Sequence, residues 1–146
     1  KPFLEQIKSF LQETERMGRS GLMHHWVMIR PWDETLLGLI GFDNITRTSE
    51  AKWNLGYWVR SSEQRHGFAK KSINATLGWL GAVEEVIVEL KVDPMNLAGV
   101  NTVSQTVSNW NGERNISGDS AVTVAGVRTL HHCHLVVTNP KSTEIM

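Results

Sequence analysis

The chain has 146 residues, of which 40% are hydrophobic, and this length is typical of one globular domain with a core of ordinary size. Lysine plus arginine and aspartate plus glutamate both number 15, so the formal net charge of zero argues against nucleic acid or an anionic membrane as a partner. The single cysteine, Cys133, excludes an internal disulfide and favours a cytoplasmic location.

The first part of the chain predicts one helix and three strands. Pro2 suits the first turn of a helix, and apolar residues then recur at helical spacing until Gly18. The face that this helix is expected to bury carries Phe3, Ile7 and Phe10. Alternating apolar residues predict the strands, the first two of which form a hairpin through a turn. The strands are expected at residues 24–29, 35–45 and 52–59, and the turn at residues 31–34.

The second part predicts a central helix over residues 67–80 that Gly81 ends. Four apolar residues are expected on its inner face: Phe68, Ile73, Leu77 and Leu80. Further along are expected a strand at residues 86–92, a weak helix at 97–107, a polar segment at 109–119, and a strand pair at 121–124 and 127–137. The run of alternating residues around Cys133 predicts a buried, inert thiol.

Helices interleaved with strands indicate an α+β (mixed α/β) fold, with one domain over residues 1–137 and a disordered tail at residues 138–146. The strands before and after the central helix make a β-α-β unit. They should therefore be parallel and joined by a right-handed crossover.

The segment with the clearest chemistry is the loop Gln64-Arg65-His66-Gly67-Phe68-Ala69, between the third strand and the central helix. The first turn of a helix leaves backbone N–H groups without internal partners, and the helix dipole favours an anion beside them. Neither a Walker loop nor a Rossmann fingerprint is present. By itself the loop fits two interpretations, a phosphate cradle or an ordinary turn. The basic residues around it fit the same two interpretations: Arg60, Arg65, Lys70 and Lys71.

Several motifs in order resemble the GNAT superfamily of acetyl-CoA-dependent N-acetyltransferases. Residues 64–69 fit its Gln/Arg-x-x-Gly-x-Gly/Ala loop, and residues 37–42 are similar to its third strand. Gly56-Tyr57-Trp58 before the loop, and Val92-Asp93 followed by Asn96 after it, resemble the branch that acetylates the N-termini of ribosomal proteins.

This resemblance implies a mixed, mostly antiparallel sheet, flanked by helices, in which the two strands of the β-α-β unit splay apart. It also implies that the family's first strand and helix are absent from the segment that begins at Lys1. The acceptor it implies is a protein N-terminus or a small-molecule amine, and it leaves a homodimer open.

The cofactor that the resemblance implies is acetyl-CoA, with no metal. Its pantetheine arm would lie between the splayed strands, against the backbone of Trp58 and Val59, and its pyrophosphate against the N–H groups of residues 64–70. At Gly67 a Cβ would hold the phosphate away. The cofactor-binding residues implied are Trp58, Val59, Gln64, Arg65, His66, Gly67, Phe68, Ala69, Lys70 and Asn96.

The candidates for catalysis are Asn54, Tyr57 and Glu89. Acetyl transfer needs a neutral amine, a polarised carbonyl and a proton for the leaving thiolate. The resemblance places a serine where Gly99 stands and an acidic residue where Asn54 stands, so Asn54 is expected to order a water rather than to act as a base. Glu89 fits two roles, a carboxylate that faces the cleft or a paired structural carboxylate.

Three functions stay open at this stage. The favoured one is an N-acetyltransferase, and the others are an acyl-CoA-binding or regulatory domain without catalysis and a structural interaction module. The histidines at positions 131, 132 and 134 have no cysteine or acidic residue at ligand spacing, so no metal site is predicted.

Overall fold

The computed structural model describes residues 2–138. Within the first helix, the side chains at positions 2–4, 6, 7, 10, 11 and 14 lie outside that description, and so does the predicted burial of Phe3, Ile7 and Phe10. The predicted tail also lies outside it, apart from Thr138.

The described residues form three α-helices and seven β-strands. The helices are α1 (Pro2–Arg19), α2 (Phe68–Val83) and α3 (Leu97–Asn109). The strands are β1 (Met23–Ile29), β2 (Leu36–Asn44), β3 (Trp53–Val59), β4 (Ile87–Val92), β5 (Glu113–Arg114), β6 (Ser120–Val124) and β7 (Val127–Val137). None of the helices among residues 2–138 is long and apolar enough to cross a membrane.

The strands form one mixed sheet in the order β1-β2-β3-β4-β7-β5, and β6 also pairs with β7. Every neighbouring pair is antiparallel except β3 and β4, which are parallel and joined through α2. The predicted mostly antiparallel sheet with a β-α-β unit is confirmed. Because α2 starts directly after the loop that follows β3, the sheet fixes where the N-terminus of that helix lies.

The main core lies between the sheet and the inner faces of α2 and α3. Ile73, Leu77 and Leu80 of α2 are buried as predicted, and Phe68 packs at the edge of the same cluster. A smaller cluster contains Ala51, Cys133 and Leu135. Burial raises the pKa of the Cys133 thiol to about 11, so the predicted buried thiol is neutral at neutral pH.

Two predictions at the ends of these elements are wrong for the same reason. Gly81 does not end α2, which continues to Val83. A Cβ on Gly81 would lie 2.2 Å from the carbonyl oxygen of Thr138, so the glycine lets the end of β7 approach the helix. Thr138, predicted to begin a disordered tail, is buried; its hydroxyl donates to Glu84 O at 2.8 Å and accepts from Val86 N at 3.0 Å.

Candidate active site

A cleft opens where β3 and β4 part. Among the described residues only two pairs join these strands, Trp53 with Val88 and Asn54 with Glu89. Beyond them the edge of β3 that faces β4 has no strand partner, and a cleft of about 470 Å³ lies between the strand ends, the loop before α2 and the first turns of α3. This is the splayed strand pair that the sequence resemblance implies.

The backbone of β3 offers hydrogen-bonding groups to this cleft. Arg60 N donates to Leu37 O on β2, whereas Val59 O accepts from Gln64 Nε2 at 3.1 Å on the cleft side. Since backbone groups alternate along a strand, those of Val59 and Tyr57 point to the cleft and those of Trp58 point to β2. The sequence analysis predicts that the backbone of Trp58 and Val59 holds the cofactor. In the structure the backbone groups of Val59 face the cleft, whereas those of Trp58 face β2.

The loop before α2 contains two residues in the left-handed region. Gly67, at φ 78°, stands at the N-cap of α2, and Arg65 has φ 69°. A Cβ on Gly67 would meet no protein atom within 4 Å, so the observed requirement for glycine is conformational. A non-glycine residue at such a φ is strained, and this kind of strain is concentrated at functional sites.

The start of α2 has the features that favour an anion. Lys71 N donates to Gly67 O at 3.1 Å, which leaves the N–H groups of the three preceding helical residues without helical partners. The first turn contains no acidic residue, and Lys70 lies beside the cleft. Of the described residues that line the cleft, Glu63 alone has a carboxylate, and Arg30 binds it at 3.2 and 3.3 Å. The cleft therefore favours a negative ligand.

The far wall of the cleft is the start of α3. Asn96 caps this helix, and its Oδ1 accepts from Gly99 N at 3.0 Å. A Cβ on Gly99 would lie 2.6 Å from Asn96 Nδ2, so the cap packs against the position where the resembled branch has serine. Tyr57 of β3 and Thr102 of α3 both line this cleft. Burial raises the pKa of Tyr57, so its phenol keeps its proton.

Asn54 and Glu89 lie on the opposite face of the sheet from the Tyr57 side chain. The two are register partners, and they line a recess of about 370 Å³ together with Arg47. Glu89 is 3% exposed, and Arg47 Nη2 donates to its two carboxylate oxygens at 2.7 and 2.8 Å. Of the two roles open for Glu89 from the sequence, the structure thus shows a paired carboxylate. The three catalytic candidates are not brought together on one face.

A family model described as an acetyltransferase (GNAT) domain matches residues 2–111. This chain belongs to the GNAT acetyltransferase family. No curated protein matches this GNAT domain in sequence.

Solved GNAT structures share its fold. The ribosomal-protein-S5-alanine acetyltransferase from Vibrio fischeri has a TM-score of 0.74 at 17% identity, over 92% of this chain and 72% of that chain. For Mycobacterium smegmatis RimJ in complex with CoA-disulfide, the TM-score is 0.68 at 18% identity, over 89% and 60%. For spermidine N-acetyltransferase from Vibrio cholerae in complex with CoA and spermine, it is 0.68 at 13% identity, over 91% and 76%. At these identities the likeness shows the fold.

Arg47 is the residue of this GNAT domain that the sequence analysis missed, because it lies in a polar loop between β2 and β3. The sequence contains one indirect indication of this residue. A glutamate inside an apolar strand is almost never fully buried unless it is paired, so Glu89 indicates that a cation from elsewhere in the chain lies beside it.

The histidines of β7 lie on a strand where the sequence predicts no metal site. No group of three or more potential ligands is found among the described residues of the GNAT domain. His134 Nδ1 is buried without a hydrogen-bond partner, and burial, as the main cause, lowers the pKa of this histidine. His134 is therefore a neutral side chain at neutral pH.

Proposed function

We propose that this GNAT domain transfers the acetyl group of acetyl-CoA to a primary amine, either a protein N-terminus or a small-molecule amine. The observation that carries the proposal is the cleft between β3 and β4 that leads to the N-terminus of α2. An unpaired strand edge suits an extended arm with amide groups, and a helix N-terminus suits phosphates. The two features occur in one cleft, as CoA requires.

The residues of the cleft fit the parts of CoA. In this proposal the N–H groups of residues 64–70 and the side chains of Arg65 and Lys70 bind the phosphates. The backbone of Tyr57 and Val59 holds the pantetheine arm, and Trp58, whose side chain is 51% exposed, covers it. Asn96 caps α3 and so holds the start of this helix, which forms the far wall of the cleft.

The chemical roles follow from the protonation and position of each candidate. When bound, acetyl-CoA supplies the thioester whose acetyl group moves to the amine. Tyr57 is the proton donor in this proposal, because it lines the cleft and its raised pKa keeps the phenol protonated. Asn54 orders a water or the acceptor amine on the other face. Glu89 is paired with Arg47, so its proposed role is to hold the structure beside the cleft and not to transfer a proton.

A domain that binds acyl-CoA without catalysis is the second candidate. It is favoured by one observation: Glu63, the single carboxylate among the described residues that line the cleft, is bound by Arg30 and is not free to take a proton from an amine. Because proximity alone drives much of an acyl transfer, the enzyme stays the first candidate. A cytoplasmic location is part of the proposal and agrees with the single cysteine, which excludes an internal disulfide.

The first test is binding. CoA at about one hundred times its Kd should stabilise the fold by about 2.7 kcal/mol and raise Tm by roughly 8 °C in a thermal-shift assay. Gly67→Glu should abolish the shift, because it places a carboxylate at the anion site. Gly78→Glu is the matched control, since Gly78 lies on the exposed side of the same helix. The absence of a shift in the wild type would refute both candidates.

The second test separates the candidates. The protein is incubated with acetyl-CoA and either a peptide with a free N-terminus or spermidine, and the products are analysed by mass spectrometry. The enzyme should add one acetyl group to at least one amine. Binding of CoA without any acetylated product across a broad amine panel would favour the non-catalytic domain.

A further inference from the structure

The point at which β3 and β4 part carries a buried charge. We call this point the vertex and define it as the pair Asn54 and Glu89, the last residues that join the two strands. Pairing starts just before it, where Lys52 N donates to Ile87 O at 2.9 Å. Glu89 is 3% exposed, although its strand neighbours Val88 and Leu90 are apolar core residues. A carboxylate at such a place has to be held by partners.

Arg47 holds this carboxylate from the other side of β3. It lies in the loop between β2 and β3, and its side chain is about half exposed. Its guanidinium nevertheless reaches the buried carboxylate of Glu89 on β4. Lys91 Nζ lies 3.8 Å from Glu89 Oε1 and is itself fixed by donating to Ser120 Oγ at 2.8 Å. Cys133 Sγ donates to Glu89 Oε2 over a longer distance of 3.8 Å. Arg47, at 2.7 and 2.8 Å, makes the shortest of these contacts and is the main partner of Glu89.

This ion pair differs from the others in that it includes a residue of the vertex. Arg30 with Glu63 and Lys52 with Glu84 also join residues far apart in sequence, at separations of 33 and 32 positions, but neither pair contains Asn54 or Glu89. Arg47 and Glu89 are 42 positions apart and link a loop to a strand across the vertex. The pair therefore links the loop before β3 to β4 at the place where the cleft begins.

We propose that Arg47 is a positioning residue for CoA, because its pairing with Glu89 locks the vertex and so sets the width of the gap that receives the pantetheine arm. This proposal rests on the proposed function. Without Arg47 the buried carboxylate has to move toward Lys91 or water, and the strand that carries it shifts. Small displacements in a site cost much of its affinity or rate. The phosphate-binding start of α2 is not joined to this pair and should not change.

Two ligands separate the gap from the phosphate site. CoA uses both, whereas 3′-phosphoadenosine 5′-diphosphate carries the phosphates of CoA without the pantetheine arm. By isothermal titration calorimetry, Arg47→Met should weaken CoA about tenfold or more and change the affinity of the arm-less ligand by less than about twofold. Arg47→Lys should recover most of the CoA affinity, since a single nitrogen of Arg47 makes both short contacts.

Arg114→Met is the matched control. It removes a partly buried ion pair with similarly short contacts, at 2.6 and 2.7 Å, on the short strand β5. It should lower Tm as Arg47→Met does, yet leave the Kd of CoA unchanged. Should Arg47→Met fail to fold, the double variant Arg47→Gln/Glu89→Gln removes both charges at once and should show the same selective loss of CoA affinity.

Each result decides the proposal. A selective loss of CoA affinity with rescue by lysine supports it. Equal weakening of both ligands, or a wild-type Kd for CoA in Arg47→Met, overturns it while leaving the proposed function intact. If the wild type binds neither ligand, the proposed function fails and this inference fails with it.

Discussion

Two glycines near one helix have opposite conformational requirements. Gly67 has φ 78° at the N-cap of α2, whereas Gly78 has an ordinary helical backbone and an exposed position in the middle of that helix. Gly67→Ala should cost about 1 kcal/mol, because a Cβ disfavours the left-handed region. Gly78→Ala should stabilise by about 0.5–1 kcal/mol, because alanine is the better helix former. Urea unfolding measures both.

The two substitutions control for each other, since each adds one methyl group that meets no protein atom within 4 Å. Gly67→Asn should lose less stability than Gly67→Ala, because asparagine tolerates the left-handed region. If both alanine variants were equally stable, the assigned backbone conformation of Gly67 would be wrong.

At the residue scale, the sequence predicts an anion-binding loop at residues 64–69 but gives an incomplete reason for Gly67. The sequence explains Gly67 by the room that a phosphate needs. The structure adds a second reason, the positive φ of Gly67, which the sequence pattern does not predict. Likewise, Glu89 was left with two roles because its partner Arg47 is 42 positions away. Pairings over such separations depend on the sheet order, which no local pattern encodes.

At the scale of elements, periodicity predicted every long strand and helix, and the ends of the helices were the weak points. Gly81 suggested a helix end, but glycine in a helix costs only about 1 kcal/mol, and contacts elsewhere outweigh that. The helix α3 is rich in weak helix formers, yet it runs to Asn109, two residues beyond the prediction. The Asn96 cap and the buried side chains of Val103 and Thr106 support it.

Gly81 is the position where this explanation can be tested. Gly81→Ala should destabilise the protein by about 2 kcal/mol, because its Cβ would overlap the Thr138 carbonyl oxygen and push the end of β7 from the helix. Gly78→Ala lies in the same helix and should act in the opposite direction. Thermal unfolding compares the two, and a Gly81→Ala protein as stable as Gly78→Ala would show that the close approach to Thr138 is not required.

At the scale of the whole molecule, charge is distributed so that attraction for an anion is local. The formal net charge is zero, so there is no overall field that draws a polyanion to the protein. Within the cleft, however, Lys70 and Arg65 stand beside free N–H groups, and the carboxylate of Glu63 is bound by Arg30. The sequence therefore gives a more specific prediction for the ligand than for the chemistry, because the proposed ligand site is one contiguous loop whereas the catalytic candidates come from separate strands.

Two adjacent lysines test this local attraction. Lys70 lies at the cleft, whereas Lys71 is exposed and does not line it. Lys70→Gln should weaken CoA about tenfold, the value of one charge-assisted hydrogen bond, and make the Kd less sensitive to salt. Lys71→Gln removes the same formal charge and should change the Kd by less than about twofold, because screening weakens an exposed charge that makes no contact. Titration calorimetry at low and high salt measures both effects. Equal losses in the two variants would mean that net charge, rather than contact at the helix N-terminus, governs binding.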